Sequence, residues 1–354
     1  MNSLHFALVI GIRRYPGIGD LAAPVQDAQM FRDWLVHPTG GQVPQGQVTL
    51  ITTSAAAALA TEAYDARPIK REIDNALEEI NDTVTAAVQA AAAAGCPEPW
   101  KQTRLYIYVA GHGIMPGGGE TALLLADARA GRYENLELSN YVKWYRRCGV
   151  VRELVVFADC CRQHLRLVEP SIVGFDLCAN PTAEVHTLVG YAAGEGNLAY
   201  EETEETIPPD ERRGYFTRAL VAGLRQARKD PAHGAVTAVT LAEYVAPALE
   251  EATQGKPFPQ RSQMPSDPGR PIVFGTALEA CSVTLHFPQG WTGGPVELLL
   301  QDGTRASHDP AAGPWSLSLP PGAYGVVLPG TYDGTPFQGR GLFMAVGDTY
   351  AVKL

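Results

Sequence analysis

The chain has little cysteine, no excess of basic residues and no long apolar run, and each shortage removes a class of protein. Six cysteines in 354 residues, two adjacent and the rest scattered, do not form a disulfide framework; they point to free thiols in a reducing cytoplasm. A formal charge of −10 works against nucleic-acid binding, which draws on a basic surface to displace counterions from phosphate. Proteins, peptides or cations suit this charge better. The apolar runs reach strand length, far below the roughly 20 residues that span a bilayer, so no membrane association is expected. LHFALVIGI, from Leu4 to Ile12, could pass for a signal-peptide core. No basic residue precedes it, however, Arg13 and Arg14 follow at once, and no small-residue cleavage site comes after. It reads as a first strand. No internal repeat is present, and low complexity is confined to two Ala runs.

What is there alternates. Strands are expected at 4–12, from Val48, at 104–110, from Arg152 and at 185–193, with a short extended ALLLADA between the last two helices of the first half. Helices are expected at 22–36, at 68–94 with Pro68 at its first position, at 137–147, at 215–228, and at 240–252 with a capping box of Thr240 and Glu243. PIVFG, 271–275, closes this part. Such alternation predicts an α/β fold, a mostly parallel sheet flanked by helices on both faces. Beyond Ala280 the texture changes to short alternating runs separated by Gly, Pro and Asp, which predicts a small β-sandwich-like domain. The expected domains are 1–278 and 279–354. Trp291 and Trp315 read as core or domain contacts.

Two strands end in reactive residues: one in Gly111-His112-Gly113, the other in Asp159-Cys160-Cys161. Ligands of open α/β sheets bind beyond the carboxyl ends of the strands. A thiol becomes a nucleophile when an imidazole takes its proton, and neighbouring strands can bring the two together. Flanking glycines let the backbone turn sharply and leave an N–H to face a substrate oxygen. With a period of two, Asp159 and Cys161 face one side and Cys160 the other. Zinc fits less well, because no CxxC or HxxxH spacing occurs.

In the order LVIGIRRYPGIGDLAAPVQDAQMFRDWL, YIYVAGHG, VVFADCCR and GYFTRALVAGL, the chain resembles the caspase-like cysteine peptidases of the metacaspase and bacterial type, over about residues 4 to 275. The resemblance implies a caspase-like fold with His112 and Cys161 as catalytic dyad and the amides of Gly113 and Cys161 as oxyanion hole. It also implies an acidic S1 pocket made by Asp159 and by Asp27 of Gln26-Asp27-Ala28, and hence cleavage of protein or peptide substrates after Arg or Lys. An activating protease or regulatory protein, with processing at Arg162, Arg166, Arg212 or Arg213, and a setting in bacterial defence or regulated cell death follow from the same likeness. So does Ca²⁺ at Glu201, Glu202, Glu204 and Glu205, a run that is otherwise simply solvated; no other cofactor is expected. The chain departs from many relatives after the nucleophile, with Arg162-Gln163-His164 in place of His-Ser-Gly. Three alternatives stay open. Arg13 or Arg14 could build a pocket for an acidic residue, Asp27 could merely suit a helix dipole, or the fold could be a catalytically silent interaction module whose β domain docks a partner.

Overall fold

Strand-length runs of Val, Ile, Leu and aromatic residues, apolar on both sides, fit a sheet covered on both faces. The computed structural model describes residues 2–53, 59–118, 120–176, 179–180, 183–202, 207–208, 211–230, 232–265, 271–275, 281–287, 294–300, 303–319, 322–332, 335–345 and 349–353. The elements in chain order are β1 (His5–Gly11), α1 (Pro24–Val36), β2 (Val48–Thr52), α2 (Lys70–Ala93), β3 (Arg104–Ala110), β4 (Gly113–Pro116), β5 (Ala122–Leu124) and β6 (Asn135–Glu137). There follow α3 (Leu138–Cys148), β7 (Glu153–Asp159), β8 (Gln163–Leu165), β9 (His186–Tyr191), α4 (Tyr215–Gln226) and α5 (Ala238–Ala252).

The main sheet has the order β2-β1-β3-β7-β9, every neighbouring pair parallel. Side chains alternate between two cores. Leu8 and Ile10 of β1, Leu105 and Ile107 of β3, and Val156 and Cys160 on and just after β7 join Ile73 and Leu77 of α2 and Tyr145 of α3. Val9, Tyr108 and Phe157 join Phe31 of α1, Phe216 of α4 and Leu241 of α5. Helices therefore cover both faces, as the alternation predicts. A smaller sheet, β6-β5-β4-β8, grows from the chain that leaves β3.

Two boundaries differ from the sequence reading. Pro68 lies before α2, whose entry is fixed by Glu72 accepting from the Ile69 N–H at 3.0 Å. Thr237, three residues before Thr240, caps α5: its hydroxyl accepts from the Thr240 N–H at 3.3 Å, and Thr240 returns the bond to the Thr237 N–H at 3.0 Å. PIVFG, lying outside the main sheet, closes this part of the chain: Val273 bridges Thr237, and Ile272 and Phe274 enter the core beneath α4 and α5.

The C-terminal strands are β10 (Cys281–His286), β11 (Val296–Leu299), β12 (Arg305–His308), β13 (Trp315–Leu319), β14 (Gly322–Tyr332), β15 (Thr335–Ala345) and β16 (Thr349–Lys353). They form sheets β13-β10-β16 and β12-β11-β14-β15, antiparallel except for the β10–β16 pair. Val283 and Leu285 from the first and Leu298 and Val326 from the second share one core, distinct from the other two, which is the expected sandwich. β15 is a strand the sequence pattern does not announce, because Pro336, Gly339 and Gly341 interrupt its apolar alternation. Trp315 stacks on His308 with centroids 5.1 Å apart. Trp291 and the boundary at 278/279 lie outside the described residues.

Leu8 is fully buried on β1, which lies between β2 and β3. Leu8→Ala is expected to cost about 2–5 kcal/mol, transfer plus cavity, read by chemical denaturation; a loss under about 1 kcal/mol would contradict the close packing described.

Candidate active site

Parallel pairing sets Ala110 of β3 opposite Asp159 of β7. His112 and Cys161 each follow two residues later, so both emerge at the same end of adjacent strands. The strand ends close onto one another: a Cβ at Gly113 would lie 2.5 Å from both Cys160 Sγ and the Cys161 carbonyl oxygen, and one at Gly111 would lie 2.4 Å from Tyr15 Oη. Only glycine fits at either position, which is the physical content of Gly-His-Gly here. Cys160 is buried in the α2/α3 core, while the half-buried Cys161 lines a cavity of about 50 Å³ together with His112, Asp27, Asp159, Leu21 and Glu201. A space of this size holds water, not a long side chain.

His112 is held on three sides. Its backbone N–H donates to Tyr15 Oη at 3.1 Å, and Tyr15 in turn donates to the Leu124 carbonyl at 3.0 Å. The Tyr15 ring meets the imidazole edge to face, centroids 4.8 Å apart. Nε2 lies 2.9 Å from the Gly19 carbonyl oxygen. A carbonyl can only accept, so Nε2 carries the proton and Nδ1 is the unprotonated nitrogen. Burial pushes the imidazole pKa below its ordinary value, against the Gly19 bond and the charges of Glu201 and Asp20. Cys161 Sγ faces the Ala199 backbone, with the N–H at 3.4 Å and the carbonyl at 3.6 Å. Burial raises its pKa, the Ala199 N–H opposes this, and the charges of Asp159 and Glu201 add to it. The resting pair is a neutral thiol and a neutral imidazole.

Asp27, on the first turn of α1, and Asp159, at the end of β7, are both buried. The Gly214 N–H donates to both oxygens of Asp27 at 3.0 and 2.9 Å. Thr217 donates to Asp159 Oδ2 from its N–H at 3.1 Å and its hydroxyl at 2.6 Å. With its proton so engaged, the Thr217 oxygen accepts from Tyr108 Oη at 2.5 Å. A Cβ at Gly214 would sit 2.4 Å from Asp159 Oδ2 and 2.9 Å from Asp27 Oδ2, so the two carboxylates converge on one glycine. Burial raises the Asp159 pKa to about 6, with Thr217 pulling the other way. Burial and the Asp159 charge push Asp27 well above the carboxylate range. Two acids that cannot both ionise in one dry site retain a proton between them.

Several residues escape the sequence reading. Glu201 accepts from the Ala22 N–H at 3.1 Å and the Ala23 N–H at 2.9 Å, capping α1, whose own N-cap side chain makes no such bond. Tyr15, Thr217 and Gly214 lie within the quoted motifs, but nothing in their spacing states their partners. Arg162 is 2% exposed: it donates to Thr121 Oγ1 at 2.7 Å and Gln263 Oε1 at 2.5 Å, and stacks 4.2 Å from the Tyr191 ring centroid. The residue that departs from His-Ser-Gly is thus a buried anchor, and cleavage after it would first require its withdrawal. Arg166 is exposed and Arg212 and Arg213 are half-buried. Arg14 binds Asp20 at 2.5 Å, and neither it nor Arg13 lines the cavity. Glu202 is buried and pairs with Arg218. Glu204 and Glu205 lie outside the described residues, and among those described no group of three or more His, Cys, Asp or Glu could hold a metal ion.

A sequence model of the caspase domain matches residues 4–268. The chain belongs to the caspase-domain peptidase family. No curated protein matches it. Among solved structures, a protein from Geobacter sulfurreducens is similar at 14% identity and a TM-score of 0.41, covering 75% of this chain and 95% of its own. Within this caspase domain the described residues contain no helix long and apolar enough to cross a membrane.

The neutral resting pair has a measurable sign. Because burial raises Cys161, the rate of its alkylation by iodoacetamide should climb with pH, with a midpoint above that of a small free thiol measured alongside. A rate already at its plateau near neutrality would indicate a preformed thiolate and contradict the neutral pair.

Proposed function

We propose that the chain is a cysteine endopeptidase that cleaves polypeptides after arginine or lysine. One observation carries this: a single cavity is lined by Cys161, His112, Asp27 and Asp159. In this reading Cys161 Sγ attacks the scissile carbonyl while His112 Nδ1 takes the thiol proton. The amides of Gly113 and Cys161 face the resulting oxyanion. His112 then gives the proton to the leaving amine, and water, deprotonated by the same nitrogen, hydrolyses the acyl-enzyme. A neutral resting pair suits a proton transfer that accompanies attack rather than precedes it.

The acid pair supports the basic preference. A guanidinium can be held bidentately by facing carboxylates, and its charge lets both ionise. Exposed Arg166 and the Arg212-Arg213 pair are the sites we assign to activating cleavage, by the enzyme itself or by an upstream protease; a regulatory partner is the other trigger. Residues 1–278 would form the peptidase domain and 279–354 a separate β domain, in a cytoplasmic protein of bacterial defence or regulated cell death, a setting that rests on the family likeness.

Three measurements test this. Cys161→Ala should abolish cleavage of an Arg peptide; full activity in that variant would end the assignment. Asp27→Asn should lower kcat/KM for the Arg peptide at least tens-fold, since losing one partner of a desolvated charge pair costs roughly 2–5 kcal/mol, while iodoacetamide labelling of Cys161 persists. Comparing Arg with its neutral isostere citrulline at P1 separates the pocket from the dyad. Asp159 is protonated below about pH 6 and charged above it, so the Arg-to-citrulline ratio in kcat/KM should rise as pH increases through that region. A ratio flat with pH, or a library dominated by Asp at P1, would remove the acid pair from the pocket.

A further inference from the structure

The loop from Arg13 to Leu21 is a turn tied to itself. Gly19 and Ile18 donate their N–H groups to the Tyr15 carbonyl at 2.9 and 3.1 Å, and the Leu21 N–H donates to the Arg13 carbonyl at 2.9 Å. Asp20 locks the turn from its side chain: Oδ1 accepts from the Tyr15 N–H at 2.8 Å and Oδ2 from Arg14 Nη1 at 2.5 Å. Arg14 is itself fixed, donating from Nε and Nη2 to the Ala60 carbonyl at 3.1 and 2.7 Å. Gly19, next to Asp20, has φ +101°, a conformation that side chains other than glycine's avoid. Its carbonyl receives the His112 Nε2 proton.

We propose that Asp20 is the positioning residue of His112, acting through the Gly19 carbonyl; the inference rests on the reading of His112 and Cys161 as the reacting pair. The Gly19 peptide is exposed, and no strand or helix fixes it. Its orientation follows from the bonds that close the turn, and the carboxylate supplies two of these. Without the carboxylate the peptide is free to rotate and Nε2–H loses its acceptor. The imidazole then gains access to its other tautomer, in which Nδ1 bears the proton and cannot take one from Cys161. The base's third partner is therefore a main-chain carbonyl, and Asp20 and Arg14 hold that carbonyl in place. Arg14, an alternative pocket cation on sequence grounds, acquires a different task.

The test is a double-mutant cycle with a direct view of the imidazole. Asp20→Ala should lower kcat roughly ten- to a hundred-fold with KM within about twofold, the size expected when a reacting group is misplaced. Asp20→Asn, whose Oδ1 still accepts from Tyr15, should recover most of the loss, and Arg14→Met should fall between. In a His112→Ala background, Asp20→Ala should have no further effect on the rate of Cys161 alkylation. Nitrogen NMR of the wild type should report the Nε2–H tautomer, with a larger Nδ1–H share in Asp20→Ala. Additive losses in the cycle, a change confined to KM, or an unchanged tautomer in Asp20→Ala would overturn the proposal. If no Arg peptide is cleaved by the wild type, the peptidase reading fails on its own, and the tautomer measurement still decides the role of Asp20.

Discussion

Parallel hydrogen bonding between β3 and β7, with Ala110 opposite Asp159, is the constraint on which the rest of the molecule depends. Each strand is buried on both faces, so its register is locked by two cores at once. A slip of one residue would present Cys160 in place of Cys161 and bury Asp159 among the aliphatic side chains under α2 and α3. Fixed register lets the chain deliver an imidazole and a thiol side by side without any dedicated loop. The cost falls on residues 111 and 113, where the converging backbones leave no room for a Cβ. Fold and site thus share one geometric condition.

A second condition is electrostatic. Asp27 and Asp159 arrive from different elements, and each receives hydrogen bonds from neutral donors, the Gly214 N–H for one and Thr217 for the other. Neutral donors stabilise one ionised carboxylate well and two poorly, because they do not cancel the repulsion between them. In the proposed reading, a cationic side chain would supply the charge that lets both acids ionise. Specificity of that kind would need no shape-matched wall around the ligand; the penalty for leaving the acids unpaired would discriminate.

Much of this was legible in the sequence, and the reasons divide cleanly. The parallel sheet, the placing of Gly-His-Gly and Asp-Cys-Cys at one end of it, and the facing of Cys161 and Asp159 opposite to the core-buried Cys160 all follow from periodicity, which is a local property. Departures arose where one segment completes another far along the chain. Glu201 caps a helix that starts at Pro24, Thr217 clamps Asp159, and Arg162 binds Gln263 a hundred residues on. None of these contacts leaves a trace in spacing. Short strands such as β4 and β8 were invisible for a related reason: three or four residues carry too little alternation to register. The misplaced cap of α5 is of another kind, since Thr237 and Thr240 both suit the position and only the turn decides.

Glu201 leaves the cleft with an occupant of its own. Its carboxylate sits on the amides of Ala22 and Ala23, at the rim of the space that holds Asp27, Asp159 and Cys161. Because the side chain is tethered, it holds those amides at an effective concentration far above that of any free anion. If the pocket takes a long cationic side chain as proposed, a cavity this small would have to open at Glu201, loosening the cap of α1, the helix that bears Asp27. In that reading, filling the pocket and remodelling the first turn of the helix would be a single event.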